Sequence, residues 1–322
     1  MDLERARVMV TGGAGFLGRF VQQRLRTAGC AQILAPRSSE CDLRERAQID
    51  AYLSRTRPDA VVHLAAIVGG IGANQASPGR FLYENAIMGL ELMEMARRHG
   101  VKKVLVTGTI CSYPKITRVP FNEDDLWLGY PEETNAPYGL AKKLVMVQGE
   151  AYRRQYGLAV VNLLLVNLYG PGDNFSPDSS HVIPALIKKC VEAKRRGSDH
   201  VEVWGDGTAT REFLYVRDAA DAIVTALAAY DKEAPMNVGS GMEISIKDLV
   251  EKIASLVGFT GEIRWDTTKP NGQPRRLVDS GRVHREIGWS ATTSFDQGLG
   301  ETIAWYVEST DGDQRVPAGR PR

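Results

Sequence analysis

The fold is decided by the stretch Arg7-Val8-Met9-Val10-Thr11-Gly12-Gly13-Ala14-Gly15-Phe16-Leu17-Gly18. Its apolar first part predicts a buried strand, and a helical pattern beginning at Phe20 follows the glycines. Glycines at 12 or 13, 15 and 18 permit a tight turn, close approach of a pyrophosphate to the backbone, and close packing of helix on strand. An ordinary turn is the alternative, but the position between strand and helix favours dinucleotide binding. The predicted contacts are Gly12, Gly13, Gly15, Phe16, Leu17 and Gly18.

Strands and helices alternate along the rest of the first half of the chain. Apolar runs at 32–35, 60–66, 103–107 and 160–166 predict core strands, with a long helical pattern at 78–99. This alternation predicts an α/β fold: a doubly wound parallel sheet of the Rossmann type with a smaller α/β substrate-binding lobe. We predict a cofactor domain over 1–172 plus 212–239, a substrate domain over 173–211 plus 240–311, and a mobile tail over 312–322.

Composition argues against several classes of function. The 40 basic and 39 acidic residues nearly cancel, so general attraction to nucleic acid or to a membrane surface is not expected. No apolar run approaches the roughly 20 residues that span a bilayer. The cysteines Cys30, Cys41, Cys111 and Cys190 show no metal-binding spacing, and no signal peptide is evident. We therefore expect no metal, free thiols and a cytoplasmic protein.

The segment after the second strand indicates which dinucleotide is bound. An NAD site usually carries an acidic residue here for the ribose hydroxyls, whereas this chain has Pro36-Arg37-Ser38-Ser39. Arg37 suits a 2′-phosphate, which predicts NADP(H), with an exposed loop arginine as the alternative. Asp42 either caps the next helix or contacts the adenine. The remaining predicted cofactor contacts are Leu43, Ala65, Asn85, Asn167 and Leu168, whereas His63 is predicted to be packed in the core.

Hydroxyl, thiol, phenol and ammonium groups follow the fourth strand. Thr109 and Cys111 come at its carboxyl end, where ligands of open parallel sheets bind, although a free cysteine is also common in a core. Tyr138 and Lys142 are four residues apart, on one face of the next predicted helix. A nearby ammonium favours the phenolate, and a hydroxyl can share the proton. These groups together predict a proton donor for a carbonyl oxygen.

With these residues in place, the sequence resembles the extended short-chain dehydrogenase/reductase family, whose Ser/Thr, Tyr and Lys triad matches Thr109, Tyr138 and Lys142. Segments 108–115, 133–138, 167–171 and 180–185 resemble members acting on GDP-linked 4-keto-6-deoxy sugars. The resemblance covers nearly the whole chain. It implies 3,5-epimerisation and NADPH-dependent 4-keto reduction of GDP-4-keto-6-deoxy-D-mannose. It also implies that His181 is the acid that works with Cys111, that His181 contacts the cofactor, and that the helices carrying Asn85 and Lys142 form a homodimer.

The chemistry of inversion agrees with this pairing. A 4-keto group acidifies the hydrogens on C3 and C5, and one group must remove a proton while another returns one to the opposite face. A thiol and an imidazole suit these roles near neutral pH, although His181 could instead cap a helix. The predicted substrate contacts are Asn167, Lys189, Trp204, Arg211 and Arg276, with Lys188 and Arg275 as supplementary phosphate ligands. For Trp204 and Arg211 the alternatives are rim packing and a surface ion pair.

Some positions depart from the family pattern. Ser112 replaces an aliphatic residue beside Cys111, and Ala14 stands where some members have a basic residue. A related nucleotide-linked 4-ketosugar, which the protein would epimerise, reduce or both, is therefore the alternative substrate. A non-catalytic NADP-binding protein of the same fold is the second alternative.

Overall fold

The computed structural model describes residues 1–269 and 271–314, and its centre is a six-stranded parallel sheet. The strands are β1 (Arg7–Thr11), β2 (Gln32–Leu34), β3 (Ala60–His63), β4 (Lys103–Thr109), β5 (Ala159–Leu165) and β9 (Met236–Val238). Their order in the sheet is β2-β1-β3-β4-β5-β9. Because all the strands run the same way, their carboxyl ends meet at one edge, and that edge carries the ligand site in such sheets.

Helices cover both faces of this sheet. They are α1 (Phe16–Thr27), α2 (Arg46–Thr56), α3 (Ile71–Ala76), α4 (Pro78–Arg98), α5 (Ala136–Tyr156) and α7 (Val216–Ala229). Alternate residues of β1 pack into different cores: Val8 and Val10 lie with α1 and α7, whereas Met9 lies with α2 and α4. This alternation follows from the two-residue period of a strand. The predicted doubly wound sheet is confirmed.

A second lobe has its own core, built from α6 (Val182–Arg196), β7 (His200–Trp204), α8 (Ile246–Val257), β11 (Glu262–Asp266) and α10 (Phe295–Gln314). A small sheet joins it to the first lobe; its strands are β6 (Asn167–Tyr169), β8 (Thr210–Tyr215), β10 (Glu243–Ser245) and β12 (Arg275–Arg276). In it, β8 is flanked by antiparallel β10 and parallel β12. Helix α9 (Gly281–Ile287) and short 3-10 turns at Leu3–Arg5, Ile110–Ser112 and Glu123–Asp125 complete the described elements.

The core of the large sheet extends beyond the predicted cofactor domain. Val278, Val283 and Trp289 pack into this core although they fall in the segment 240–311, which we predicted to be the substrate domain. Helix α10 continues to Gln314, past the predicted start of the tail at 312, and residues 315–322 lie outside the described residues. No helix of the described ranges is long and apolar enough to cross a membrane.

The glycine turn shows the predicted tight packing of helix on strand. Gly12 has φ +69, a left-handed conformation that favours glycine. A Cβ on Gly12 would lie 2.9 Å from the Ala65 amide nitrogen, so the turn abuts the chain that leaves β3. A Cβ on Gly18 would lie 2.2 Å from the Gly12 carbonyl oxygen, so α1 rests directly on the loop. Both contacts are with backbone atoms, which have little freedom to move.

We predict that Gly18→Ala destabilises the protein by about 1–3 kcal/mol, because the added methyl collides with the loop backbone. The measurement is the free energy of unfolding in urea. Gly300→Ala is the matched control, since a Cβ there meets nothing within 4 Å and lies in helix α10. It should leave stability unchanged or raise it by up to about 1 kcal/mol. Equal stability of the Gly18→Ala variant and wild type would contradict the prediction.

Candidate active site

A cavity of about 1280 Å³ opens at the carboxyl edge of the large sheet, and residues of both lobes line it. It brings together the predicted catalytic and substrate residues Thr109, Cys111, Tyr138, Lys142, Asn167, His181, Lys189, Trp204, Arg211 and Arg276. The predicted cofactor residues Gly12, Gly15, Phe16, Leu17, Gly18, Arg37, Asp42, Leu43, Ala65 and Leu168 line it as well. Residues far apart in the chain therefore share one space.

The hydroxyl, phenol and ammonium lie at the junction of β4 and α5. Thr109 ends β4, Tyr138 lies in the first turn of α5, and Lys142 follows one turn later with its Nζ 5.9 Å from the centre of the Tyr138 ring. Burial lowers the pKa of Lys142 to about 8. Burial, and then the nearby Cys111, raise the pKa of Tyr138. The phenol thus keeps its proton near neutral pH, whereas we expected Lys142 to favour the phenolate.

The turn that carries Cys111 packs tightly on helix α5. The Cys111 amide donates to the Thr109 hydroxyl at 3.2 Å, which begins the short 3-10 turn Ile110–Ser112. Gly139 faces this turn, and a Cβ there would lie 2.4 Å from the Cys111 carbonyl oxygen. The buried Ser112 hydroxyl donates to the Gly139 carbonyl at 3.0 Å. These contacts fix the element carrying the thiol against the helix carrying Tyr138.

His181 occupies the N-cap position of helix α6, but its side chain makes no capping hydrogen bond. It lines the cavity instead, and burial lowers its pKa from the usual histidine value. Helix capping, the alternative role for this residue, is thus not what its side chain does. The imidazole is mostly neutral at neutral pH and available for proton transfer.

Basic residues line the cavity wall formed by the second lobe. Arg211 and Arg276 face each other in the register of β8 and β12, and both are largely buried. Arg211 donates to the Thr210 and Asn271 carbonyls at 2.7 and 3.0 Å. Lys189 donates to the Glu202 carbonyl at 2.8 Å, and Trp204 is 51% exposed. This wall is both cationic and partly aromatic.

Two supplementary phosphate ligands do not reach the cavity. The Lys188 Nζ donates a hydrogen bond to the Phe175 carbonyl at 3.4 Å. Arg275 donates to both carboxylate oxygens of Glu243, at 2.7 and 2.8 Å. Neither residue is among the described residues that line the cavity. The expectation that they supplement a phosphate clamp is therefore wrong for this conformation.

The glycine turn and the end of β2 fit a dinucleotide. Helix α1 begins at Phe16 with Gly15 as N-cap, and no side chain caps its first amides. Residues of this first turn line the cavity, so these amides can donate to an anion bound there. Arg37 is exposed and forms no ion pair with any described residue, which leaves its guanidinium available for a phosphate. The space and the donors thus suit an anionic cofactor.

Three predicted cofactor residues either pair with another side chain or are not among the described residues that line the cavity. Asp42 binds the Arg44 guanidinium at 2.7 and 2.9 Å, and α2 begins later with Glu45 as N-cap, so Asp42 does not cap that helix. Gly13 and Asn85 are not among the described residues that line the cavity. Asn85 instead holds the backbone of Ile67 through two hydrogen bonds, at 2.9 and 3.0 Å. Its observed contacts are those of a support for the loop after β3.

Asn135, Asp173 and Glu132 are among the polar residues in or beside the cavity that the sequence analysis did not single out. Asn135 is buried, lines the cavity and donates to Glu132 at 3.0 Å. Asp173 also lines the cavity; burial raises its pKa to about 7, and its Oδ2 has no hydrogen-bond partner among the described residues. The position of Asn135 and Glu132 just before Tyr138 was an available signal, whereas burial of Asp173 leaves no trace in the sequence.

His63 is a core residue, as predicted. It is 2% exposed, and its Nδ1 lies 2.9 Å from the Thr11 hydroxyl oxygen. The amides of Leu64 and Ala65 also bond to that oxygen, at 3.2 and 3.3 Å, which ends β3 at His63 rather than at the predicted residue 66. Burial, with a smaller effect of Lys142, lowers the pKa of His63 to about 3. The imidazole is neutral.

A family model for the NAD dependent epimerase/dehydratase family matches residues 8–239. The chain belongs to this family. It is 38% identical to "GDP-L-fucose synthase 1" of Arabidopsis thaliana, covering 96% of this chain and 95% of that protein, and 36% identical to "GDP-L-colitose synthase" of Yersinia pseudotuberculosis, covering 95% and 100%. A solved GDP-L-fucose synthetase from Naegleria fowleri bound to NADP superposes with a TM-score of 0.86 at 28% identity, covering 95% of each chain. The resemblance inferred from the motifs is confirmed.

Buried His63 should make the protein sensitive to acid. The pKa of His63 is 6.5 in the unfolded chain and about 3 in the folded protein. Between these two pH values the unfolded chain binds a proton that folded His63 does not, so the free energy of unfolding falls as the pH falls. The loss is about 1.4 kcal/mol per pH unit at most. We predict that His63→Asn loses less stability than wild type when urea unfolding at about pH 5 is compared with about pH 7. His284→Asn, at an exposed histidine, is the control and should behave like wild type.

Proposed function

We propose that the protein epimerises GDP-4-keto-6-deoxy-D-mannose at C3 and C5 and reduces its 4-keto group with NADPH to give GDP-L-fucose. One observation carries the proposal. The proton-donating set of Thr109, Tyr138 and Lys142 lines the same cavity as Cys111 and His181. A single bound sugar can meet both sets of groups there. Similarity to GDP-L-fucose synthases over nearly the whole chain supports the same activity.

NADP(H) is the cofactor that the residues fit. The amides at the start of α1 and the open turn at Gly12 suit its pyrophosphate, and Arg37 suits the 2′-phosphate. When bound, NADPH supplies the hydride for C4. The residues Tyr138, Lys142, Asn167 and His181 are proposed to contact it from the catalytic side.

Inversion at C3 and C5 is assigned to Cys111 and His181. A thiolate removes the proton beside the 4-keto group, so that an S–H bond forms while the electron pair of the C–H bond passes into an enolate. A protonated imidazole then returns a proton to the opposite face of the same carbon. Both side chains line the cavity. Because burial lowers the pKa of His181, the imidazolium is the minor form at neutral pH, and once formed it gives up its proton readily.

Reduction is assigned to the group at the start of α5. Tyr138 donates its phenolic proton to the oxygen on C4 as that carbon is reduced, and its raised pKa means that the phenol carries the proton at neutral pH. Lys142 is buried beside the ring and Thr109 ends the facing strand. They orient the phenol and share its charge once the proton has left.

The cationic wall is assigned to the nucleotide. Arg211 offers a buried guanidinium and Lys189 an ammonium for the diphosphate, while the exposed face of Trp204 suits guanine or ribose. Asn167, in strand β6, lines the same cavity and is assigned to both substrate and cofactor. The division into a cofactor domain, 1–172 plus 212–239, and a nucleotide-sugar domain, 173–211 plus 240–311, is part of the proposal, with Val278, Val283 and Trp289 of the second range packed on the core of the cofactor domain.

The direct test is consumption of NADPH with GDP-4-keto-6-deoxy-D-mannose, followed by identification of the sugar product. The same assay with other GDP-linked, dTDP-linked and UDP-linked 4-ketosugars tests the alternative substrate, which similarity to a GDP-L-colitose synthase keeps in view. NADPH binding without turnover of any of these sugars would instead support a non-catalytic role.

We predict that the two activities separate by mutation. In heavy water, wild type should place deuterium at C3 and C5. Cys111→Ser should abolish this incorporation, because a hydroxyl is a far weaker base than a thiolate. Tyr138→Phe should keep the incorporation but slow reduction by about 10²–10⁴-fold, the usual contribution of a positioned acid. If both variants retained both activities, the assignment of these residues would be wrong.

A homodimer is also part of the proposal, together with a reducing compartment such as the cytoplasm, which keeps the Cys111 thiol free. An apolar stripe on the outer side of α4 and α5 supports the dimer. Tyr83 is 65% exposed, and Leu144 and Val147 are 46% and 44% exposed on the next helix. Exposed apolar stripes of this kind mark contact surfaces.

We predict that Leu144→Glu converts a dimer to a monomer, since a buried carboxylate without a partner opposes association. Light scattering after size exclusion should give twice the 35.4 kDa chain mass for wild type and the single mass for the variant. Leu256→Glu, at a leucine that is 49% exposed on α8 of the other lobe, is the matched control and should remain dimeric. A monomeric wild type would contradict this surface assignment.

A further inference from the structure

Arg276 lies beside the sulfur of Cys111. Its Nη1 is 3.7 Å from the Cys111 Sγ, a hydrogen-bond distance for sulfur, and both residues line the cavity. The Arg276 side chain is only 9% exposed, so water screens the contact weakly. A guanidinium is a permanent cation in proteins. A cation in hydrogen-bond contact with a cysteine sulfur generally favours the thiolate over the thiol.

The neighbours of Arg276 fix its place and set the local charge. Its Nε donates to the Gln273 side chain at 3.0 Å, and its Nη2 lies 4.0 Å from a carboxylate oxygen of Glu132. Arg211 lies opposite Arg276 on the neighbouring strand. Burial, and then Arg276, lower the pKa of Arg211 to about 10, so that it remains a cation at neutral pH. Two cations and one carboxylate thus leave one positive charge unbalanced.

Each element around Cys111 contributes a charged or titratable group. Helix α5 contributes Tyr138, strand β8 contributes Arg211, strand β12 contributes Arg276, and the segment before α5 contributes Glu132. Helix α6 places His181 in the same cavity. Among the described residues, Arg276 is the charged group hydrogen-bonded to the sulfur, and Glu132 contacts Arg276 rather than the sulfur.

We infer that Arg276 is a positioning residue for proton abstraction, which holds Cys111 as the thiolate, and that Glu132 opposes this effect. The inference rests on the proposed function, and it moves Arg276 from the nucleotide contacts to the epimerising half of the site. The step it serves is removal of a proton from C3 or C5. The S–H bond forms, the C–H bond breaks, and its electron pair enters the enolate of the 4-keto group.

The test needs no substrate. The rate at which iodoacetamide alkylates Cys111 is followed over a range of pH, with the Cys111 peptide quantified by mass spectrometry so that Cys30, Cys41 and Cys190 do not interfere. Arg276→Gln should slow alkylation near neutral pH by about tenfold and move the pH midpoint upward by about one unit. Arg276→Lys, which keeps the charge, should restore most of the rate. Arg275→Gln, which removes an exposed guanidinium bound to Glu243, should match wild type.

Glu132→Gln gives the opposing measurement. Removing this carboxylate leaves the charge of Arg276 less compensated, so alkylation near neutral pH should become faster and its midpoint should move downward. Damage to the fold would shift both variants in the same direction. Opposite shifts therefore support the inference, and an unchanged alkylation profile in Arg276→Gln overturns it.

A second readout separates the two proposed roles of Arg276. Arg276→Gln should lower deuterium incorporation at C3 and C5 by about tenfold while binding of GDP, measured by calorimetry, stays near the wild-type value. Weaker GDP binding with normal alkylation would return Arg276 to the nucleotide contacts. If no 4-ketosugar is turned over by wild type, the proposed function fails, and the alkylation profiles alone decide the inference on Cys111.

Discussion

Close backbone packing between the Cys111 turn and helix α5 is the constraint on which the site depends. Gly139 leaves no space for a side chain against the Cys111 carbonyl, and Ser112 ties the same two segments by a hydrogen bond. The thiol therefore comes from the end of a central strand and the phenol from the start of the adjacent helix, without intervening side chains. Under the proposed function, one sugar can meet both sets of groups because they are held on two rigid elements in direct contact.

Burial shifts the proton equilibria of the groups in the cavity. It raises the pKa of Tyr138, which keeps the proton for an oxygen, and lowers the pKa values of Lys142 and His181. The surroundings of Cys111 are charged, since Arg276 contacts the sulfur and Arg211 lies next to Arg276. Groups of different acidity can share one cavity when their surroundings differ.

The two lobes divide the work. The large sheet with its glycine turn supplies a general cofactor platform, and the register of β8 and β12 brings two arginines to the wall that faces it. That wall comes from a lobe with its own core, so it can vary without disturbing the sheet. The family holds enzymes for several nucleotide sugars, and this separation of scaffold from specificity is the physical basis for that variety.

The sequence by itself determined the parallel sheet, the glycine turn and the placement of Tyr138 and Lys142 on one face of a helix. Each of these depends on short-range periodicity or on spacing within one element. Most of the site residues that it predicted from motifs line the cavity. Only the tertiary structure decided the contact of Arg276 with Cys111, whose 165-residue separation in the chain no local pattern can bridge. Burial was likewise decided there, and it reversed the expected protonation of Tyr138. The tertiary structure also pairs Arg275 with Glu243, outside the cavity. Desolvation and through-space charge depend on which distant segments pack together, and that is fixed only when the two lobes have folded.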